Sequence, residues 1–386
     1  MQCSEYRLNT DRSVAIVGAG VAGITTAYFL AKEGFKVTVF DPNGIAKQCS
    51  YANGGQISVC NSEVWNTYSN IAKGIKWMTK KDAPLYFRAD HWSWDKIKWI
   101  AGFIGATVTN SYDKNTRKTI EYALRARELM KEVNDIDYHQ NACGILHIYK
   151  NQKSWDKARR TLERFKDTGW GRIEVSNKFL DSYNIKDDGV IGCTFTAEDS
   201  VGDIFTFCNK LSEIMKAKYD YEIVKQEIRP YDLYALRFQF DEVVIAAGAY
   251  TPKLVPSVNL YPIKGYSVTY NSQPNIPTLS ILDDDAKIVA SPFSNGVFRV
   301  AGTAELAGWN HDIVDDRIKP LTNWVKQNTF IESDDYKRWS CLRPMTPNML
   351  PIIDKINGVW VNTGAGHLGW TMGMALAEKI TWKIQN

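Results

Sequence analysis

The sequence lacks the cysteine pattern of a disulfide framework or of a thiolate metal site. Its seven cysteines are an odd number and include no Cys-x-x-Cys pair, and its five histidines have no spacing typical of metal ligands. We therefore expect reduced thiols, a cytoplasmic protein and no bound metal.

Blocks of like charge and long apolar runs are also absent from the sequence. Lysines and arginines are scattered and the formal net charge is only +4, which argues against nucleic acid as a partner. The most apolar stretch, Val14 to Leu30, contains three glycines and is not predicted to span a membrane. The first thirteen residues are polar and partly acidic, unlike a secretory or transit peptide. With 386 residues, 44% of them hydrophobic, we expect a globular chain of about two domains.

The sequence does contain a nucleotide-binding motif near its start. SVAIVGAG predicts a buried strand that ends in a glycine turn, VAGITTAYFLAKEG a helix, and KVTVFD a second strand. The glycines fill the GxGxxG frame of this βαβ unit: the first permits the turn, the second lets a pyrophosphate approach the backbone, and the third allows close packing of helix and strand. The helix start favours phosphate charge. The expected phosphate-binding residues are Gly18, Ala19, Gly20, Val21, Ala22 and Gly23.

Asp41 ends the second strand, where a carboxylate accepts hydrogen bonds from an adenosine ribose. An acid at this position disfavours the 2′-phosphate of NADP. From this motif alone, an α/β domain whose glycine-rich turn binds no ligand stays open as the alternative.

Three later segments favour FAD over NAD. CSYANGGQIS follows the second strand, where an NAD domain would continue to its next helix, and it offers polar side chains and open amides to a large planar ligand. FDEVVIAAGAYTPKL predicts a strand that joins the same sheet. NTGAGHLGWTMGMALAEKI predicts a glycine turn and a helix whose start would stabilise negative charge on a flavin. Taken singly, each also fits a plain polar loop, buried strand or C-terminal helix. The expected contacts are Ser50, Asn53, Gly54, Gly55, Gln56, Ala247, Gly248, Gly364, Gly366, His367, Leu368, Gly369 and Thr371.

These segments belong to an ordered set of motifs. SYANGGQ, FTAEDSVGD, YPIKGYSVTY, FRVAGTAEL, RPMTP and TGAGHLGWTM follow one another from about Ser13 almost to the C-terminus. In this set the chain resembles the D-amino-acid dehydrogenases, a branch of the FAD-dependent D-amino-acid oxidase and glycine oxidase superfamily. The resemblance implies tightly bound FAD.

The resemblance also implies an α/β fold in which a discontinuous Rossmann-like FAD-binding domain carries an inserted α+β substrate domain with an antiparallel sheet. We assign residues 13–72, 191–256 and 339–386 to the FAD-binding domain. Residues 73–190 and 257–338 form the predicted substrate domain. Between Gly202 and Asp241 the chain is short for the family, so we expect a trimmed small sheet there.

Three residues, Arg343, Tyr266 and His367, are catalytic candidates, and the resemblance implies the role of the first. Arg343 in CLRPMTP matches the arginine that clamps the substrate carboxylate, a task that suits the guanidinium fork; an ion pair between domains is the alternative. Tyr266 offers a hydroxyl to the carboxylate or amine, or is a core aromatic. Lys264 is expected on the same side of its strand, beside the flavin or at the sheet edge. His367 would hydrogen-bond the flavin or substrate, or lie in a solvated loop.

The implied reaction is hydride transfer from the substrate α-carbon to flavin N5, followed by hydrolysis of the imino acid to a 2-oxo acid and ammonia. The expected partners are an amino-acid or amine substrate and an electron acceptor, a quinone or O2. The alternatives are a glycine- or sarcosine-type amine oxidase that uses O2, and a flavin-binding protein without turnover. An NAD dehydrogenase is disfavoured.

The sequence departs from the family pattern around the expected clamp. Cys341 replaces a glycine, Asn348 and Met349 replace Asp-Gly, Ala365 replaces a histidine, and His367 replaces a threonine. These changes suggest an altered substrate or flavin potential.

Residues 73–106 combine tryptophans with basic residues, a composition that suits a peripheral contact with the inner face of the cytoplasmic membrane. A helical cover of the substrate domain is the alternative. The residues concerned are Trp77, Trp92, Trp94, Trp99, Lys80, Lys81, Lys96 and Lys98.

Overall fold

The fold contains two large β-sheets, as seen in a computed structural model. The structure describes residues 11–77, 83–87, 92–133, 135–178, 180–271 and 273–386. In chain order the strands are β1 Ser13–Val17, β2 Lys36–Phe40, β3 Gln56–Ile57, β4 Leu85–Phe87, β5 Ile145–Tyr149, β6 Ile173–Val175, β7 Gly192–Thr196, β8 Ser200–Val201, β9 Tyr221–Val224, β10 Glu242–Ile245, β11 Tyr261–Tyr270, β12 Ser280–Asp283, β13 Ile288–Pro292, β14 Phe298–Leu306, β15 Lys337–Met345, β16 Ile352–Ile356 and β17 Val359–Thr363.

The helices cover both sheets. They are α1 Val21–Lys32, α2 Tyr68–Trp77, α3 Trp94–Val108, α4 Tyr112–Lys131, α5 Gln152–Phe165, α6 Ile204–Lys218, α7 Pro230–Gln239, α8 Thr251–Leu254, α9 Asp315–Asn328 and α10 Gly369–Gln385.

The first sheet is Rossmann-like and has the order β16-β17-β10-β1-β2-β9. Its pairings are parallel except for the edge pair β16–β17. β1 and β2 are apolar and almost fully buried, as parallel strands covered on both faces are. Helix α1 packs between α10 and α6 over this sheet. It ends where predicted, because Gly34 at φ +89° follows its last turn and Phe35 N–H donates to the Leu30 carbonyl.

The second sheet is mostly antiparallel, with the order β15-β11-β14-β13-β12-β5-β7-β6 and β4 paired to β14. Its pairings β12–β5 and β14–β4 are parallel. The long strands β11, β14 and β15 form one half of it, and a register shift lies between Gly265 and Tyr266 of β11. A short ladder of β3 and β8 lies apart from both large sheets.

Two strands differ from the predicted domain division. β7 and most of β15 fall in segments assigned to the FAD-binding domain, yet β7 pairs with β5 and β6, and β15 pairs with β11. The strand that carries Arg343 is therefore an edge strand of the second sheet. The remaining domain bounds stay a prediction.

The small sheet expected between Gly202 and Asp241 is wrong. This fully described stretch contains α6, the strand β9 of the first sheet, and α7. Pro230 begins α7, where its missing N–H costs nothing, and the Asp232 carboxylate accepts the Arg229 N–H at 2.9 Å. Leu233 and Leu236 then bury the helix against the first sheet.

Candidate active site

One cavity of about 1820 Å³ is lined by residues of both large sheets. Its volume exceeds the roughly 300 to 1,000 Å³ of a drug-sized ligand site, so it has room for a dinucleotide and a substrate. The predicted cofactor and catalytic residues line this cavity, with two exceptions. Ala19 is fully buried in the turn after β1, and Gly23 faces that turn from α1. Both residues shape the turn without lining the cavity, and their contact with the cofactor stays a prediction.

The glycine-rich turn has the close contacts that GxGxxG spacing implies. Gly18 has φ +110°, and a Cβ on it would lie 2.5 Å from the Ala246 carbonyl oxygen. A Cβ on Gly23 would lie 1.8 Å from the Gly18 carbonyl oxygen. Gly20 is different: its φ of −71° suits any residue, and the nearest atom to an added Cβ is Ser50 Oγ at 3.5 Å. Nothing in the protein itself requires glycine at position 20, but a ligand that approaches the backbone does.

Two side chains bond the backbone at this turn. Asp41 accepts the Ala19 N–H at 2.9 Å with one carboxylate oxygen and the Asn43 N–H at 2.9 Å with the other. Ser50 Oγ accepts the Val21 N–H at 3.0 Å at the start of α1. Both residues line the cavity. The turn, the helix start and Asp41 thus form an arrangement that can hold the adenosine diphosphate part of a dinucleotide.

The segment from Ala52 to Gln56 lies between α10 and the second sheet. Ser267 Oγ donates to the Ala52 carbonyl at 2.7 Å, and Gln56 Nε2 donates to Ser280 Oγ at 2.9 Å. Thr371 Oγ of α10 accepts the Ser58 N–H at 3.1 Å. Gln56 Oε1 is buried without a hydrogen-bond partner among the described residues. An orphaned acceptor beside an open cavity fits a ligand with N–H or O–H groups, as an isoalloxazine or ribityl chain has.

The C-terminal glycine motif joins the two sheets at the cavity. Gly366 N–H donates to the Pro344 carbonyl at 3.0 Å, and an isolated bridge pairs Met345 with Ala365. His367 follows, and its ring stacks on Trp65 with centroids 4.7 Å apart. Burial, reinforced by Arg343, lowers the pKa of His367 to about 4, and neither ring nitrogen has a hydrogen-bond partner in the described part of the chain. The imidazole is therefore neutral near pH 7 and has unused hydrogen-bonding capacity.

Arg343 lies on β15 opposite Ile263 of β11 and lines the cavity. Its guanidinium covers Gly265, where a Cβ would lie 2.4 Å from Nη2. Other arginines of the second sheet are paired; Arg299, for example, bonds Asp203 at 3.2 Å. Within the ranges that the structure describes, the Arg343 side chain makes no hydrogen bond or ion pair, so the alternative of an ion pair between domains has no support. A cavity-lining guanidinium in this state can bind a carboxylate with both of its oxygens.

The Tyr266 hydroxyl belongs to a buried hydrogen-bond network and does not point to the centre of the cavity. Its hydroxyl donates to Glu305 Oε2 at 2.6 Å, and its side chain is 1% exposed. Lys264, fully buried on the same side of the strand as predicted, bonds Asn310 Oδ1 at 2.7 Å and lies 3.7 Å from Glu305. This arrangement fits a structural role for Tyr266 better than the predicted contact with substrate.

Cys341, one of the departures from the family pattern, contacts a second cysteine. Cys49 donates from Sγ to the Leu342 carbonyl at 2.9 Å, and both thiols line the cavity. The hydrogen bond with Cys341 and burial hold the pKa of the Cys49 thiol well above its ordinary value. Both cysteines are free in the structure, so the two side chains fill space beside Arg343 without a disulfide bond.

Sequence reasoning missed a cluster of charged residues at another part of the cavity wall. His147 Nδ1 lies 3.0 Å from Asp284 Oδ2, and Arg172 Nη2 lies 3.6 Å from the same oxygen. Lys287 Nζ lies 3.1 Å from Asp284 Oδ1. Burial and then Arg172 lower the pKa of His147 to about 4. The motif GILHIY located the strand, but its partners come from distant segments, and no local pattern indicates them.

The chain was compared with known proteins. A family model described as DAO, FAD dependent oxidoreductase, matches residues 13–382. The chain belongs to this family. It is 36% identical to D-amino acid dehydrogenase 3 of Mesorhizobium japonicum, with 95% of each chain covered. It is 32% identical to D-amino acid dehydrogenase of Paramagnetospirillum magneticum, with 93% of this chain and 92% of that one covered.

Solved structures share the fold at low sequence identity. Glycine oxidase from Bacillus cereus superposes with a TM-score of 0.67 at 17% identity and covers 97% of this chain and 95% of its own. L-alpha-glycerophosphate oxidase from Mycoplasma pneumoniae, with FAD bound, gives 0.66 at 15% identity, covering 98% and 95%. The chain is thus an FAD-dependent oxidoreductase with FAD as its cofactor, as the sequence predicted. None of the helices within the described ranges has the length and apolarity needed to cross a bilayer.

Proposed function

We propose that the protein oxidises D-amino acids to 2-oxo acids and ammonia and passes the electrons to a quinone or another acceptor. The observation that carries the proposal is the unpaired guanidinium of Arg343 on the wall of the same cavity that the glycine-rich turn lines. The names of the relatives support the D-configuration.

The proposed cofactor contacts run along the cavity. The turn at Gly18 and Gly20 with the start of α1 would hold the pyrophosphate, and Asp41 the ribose. The segment from Asn53 to Gln56, with Ala247 and Gly248, would flank the ring system. The residues from Gly364 to Thr371 would direct amides and a helix start at it. FAD supplies the redox chemistry when bound, accepting the hydride from the substrate α-carbon.

Arg343 would fix the substrate by its carboxylate. A bidentate guanidinium–carboxylate contact sets the rotation of the amino acid as well as its position, so the α-hydrogen is held toward the cofactor. His367, neutral near pH 7 and with unused ring nitrogens, can accept or donate a hydrogen bond to the substrate amine or the flavin. We assign no protein base, because a neutral amine needs none.

Exposed apolar side chains support a peripheral membrane contact as the route to a quinone. Trp94 at the start of α3 is 75% exposed, and Trp92, Ile97 and Ile104 are exposed near it. Trp99 and Lys96 do not belong to this surface: Trp99 Nε1 donates to the Met345 carbonyl at 2.8 Å, and Lys96 Nζ to that of Leu306 at 3.1 Å. The predicted Lys80 and Lys81 lie outside the described residues. We propose a cytoplasmic protein that touches the membrane through α3.

Anaerobic mixing of the purified holoenzyme with D- and L-forms of a panel of neutral and charged amino acids tests the function. We expect the flavin absorbance to bleach with D-forms and not with L-forms. Bleaching by no amino acid would overturn the proposal. Rapid peroxide formation in air with glycine or sarcosine would instead establish the oxidase alternative.

Flotation with liposomes tests the membrane contact. We expect the holoenzyme to float with the liposomes and the variant Trp94→Ser to float less. A holoenzyme that stays wholly unbound, as the variant does, would contradict the membrane contact.

A further inference from the structure

A group of basic side chains lines the cavity where α2, α5 and β5 meet. We call it the basic chamber and define it by Lys73 of α2, Lys157 of α5, Arg172, and Lys287 after β12. Lys153 and Arg160 of α5 line the same region. The acids at this end of the cavity are Glu63, Asp284 and Asp285. Basic groups outnumber acidic ones six to three, because His147 is neutral at pH 7.

The three acids already have partners. Asp284 contacts His147, Lys287 and Arg172 at 3.0 to 3.6 Å. Glu63 accepts the Tyr112 hydroxyl at 2.8 Å and lies 3.7 Å from Arg172. Asp285 accepts the Lys150 N–H at 2.9 Å and also bonds the Ser154 hydroxyl. These bonds fix the acids in the wall and leave them little capacity for further cations.

Lys73 and Lys157 have no ion pair in the described part of the chain. Burial lowers the pKa of Lys73, and Lys287 and Lys157 lower it further, more than Asp284 and Asp285 raise it. Lys287 and Lys157 thus act on Lys73 more strongly than the nearby acids do. A partly enclosed cavity wall of one charge attracts an ion of the other charge and strengthens its binding, since solvent screens it poorly there.

The chamber and the proposed clamp belong to one continuous cavity. His367 is close enough to both Arg343 and Lys287 that each lowers its pKa. Trp65, which stacks on His367, lies two residues after Glu63, whose carboxylate contacts Arg172. A ligand held by Arg343 at one end can therefore extend past the Trp65–His367 pair toward the lysines.

We propose that the preferred substrate carries an acid group on its side chain, and that Lys73 and Lys157 bind this group while Arg343 binds the α-carboxylate. Lys287 and Arg172, already paired with Asp284, add positive charge beside that site. The inference rests on the proposed function and narrows its substrate class to amino acids with an anionic side chain. Ammonium and guanidinium groups give charge-assisted hydrogen bonds to a carboxylate, and a neutral amide of the same shape gains much less from them.

Matched substrates test the charge directly. Flavin reduction is measured anaerobically with D-glutamate against D-glutamine, D-aspartate against D-asparagine, and D-2-aminoadipate to probe reach. We expect at least one acid to have a kcat/KM about tenfold or more above that of its amide. If D-amino acids reduce the flavin but every acid is equal to or poorer than its amide, this inference is overturned and the proposed function stands. If no D-amino acid reduces the flavin, the proposed function fails first.

Single variants locate the effect. Lys73→Gln and Lys157→Gln should each raise the KM for the preferred acid about tenfold and that for its amide much less, while Lys216→Gln on the exposed face of α6 should change neither. A second readout needs no turnover: glutarate should perturb the spectrum of the oxidised flavin at lower concentration than its monoamide, and added salt should narrow the difference. Unchanged KM and glutarate affinity in both variants would contradict the assignment. So would variants that alter only the KM for the electron acceptor, because the chamber would then serve that molecule.

Discussion

The guanidinium of Arg343 lies directly over the backbone of Gly265, on the neighbouring strand. The contact is so close that glycine is the only residue that leaves the arginine in place. Position 265 therefore controls the proposed clamp without touching the substrate.

The first prediction concerns Gly265→Ala. The added Cβ would lie 2.4 Å from Arg343 Nη2, so the guanidinium must move and kcat/KM for the best D-amino acid should fall about 100-fold. FAD content should be unchanged. Gly105→Ala in α3 is the matched control, since a Cβ there meets no atom within 4 Å. Steady-state kinetics and the flavin-to-protein absorbance ratio check both results; equal activity of the two variants would contradict the placement of the clamp.

The second prediction separates charge from geometry at Arg343. Arg343→Lys keeps the positive charge but loses the fork, so kcat/KM should drop about 10- to 100-fold, mainly through KM. Arg338→Lys on the same strand is the control, because that arginine is exposed and pairs with Asp315. A lysine variant with wild-type kinetics would show that bidentate binding is not used.

The third prediction contrasts two glycines of the nucleotide turn. Gly20→Ala should fold normally, because its φ of −71° and free space suit alanine, yet it should retain less FAD after gel filtration. Gly23→Ala should destabilise the fold itself by about 3 kcal/mol, since its Cβ would overlap the Gly18 carbonyl. Thermal unfolding of the apo- and holo-proteins distinguishes the two; full FAD retention by Gly20→Ala would count against a ligand at that turn.

The fourth prediction concerns pH. His147 is neutral in the folded protein, with its pKa lowered to about 4 from 6.5, so between these values the unfolded chain binds the extra proton. Stability should therefore be full above pH 6.5 and fall as the pH drops toward 4, by about 3 kcal/mol at most for this residue. His147→Gln should flatten the dependence of Tm on pH over this window. His139→Gln, at a less buried position, is the control; parallel pH curves for wild type and His147→Gln would refute the assignment.

The local structure of the nucleotide-binding turn could be predicted from the sequence. The strand, turn and helix around Gly18 and Gly23 depend on neighbours within a few residues, so spacing alone predicts them. The pairing of β7 and β15 was not predictable in this way, because their partner strands β5, β6 and β11 lie in other segments and no local pattern selects between the two sheets. The buried role of Tyr266 was not predictable either, because its hydroxyl bonds Glu305, which is thirty-nine residues away in the sequence. The basic chamber depends on contacts among four separate segments and gave no local signal.

Helix α7 stands where the family pattern predicted a small sheet. The local sequence contains a helix start, Arg229-Pro230 with Asp232 three residues after the arginine. These residues predict a helix, and they are better evidence for the local structure than the length of the segment is.

The hydrogen bond from Gly366 to Pro344 ties the strand that bears Arg343 to the loop that we propose faces the cofactor. We therefore expect a substitution on that strand that changes the substrate to change the reduction potential of the flavin as well. The lysines of α2 and α5 lie on other segments. With the substrate role proposed for them, these two helices are the place where the preferred substrate can be altered, by evolution or by design, while the redox centre is left intact.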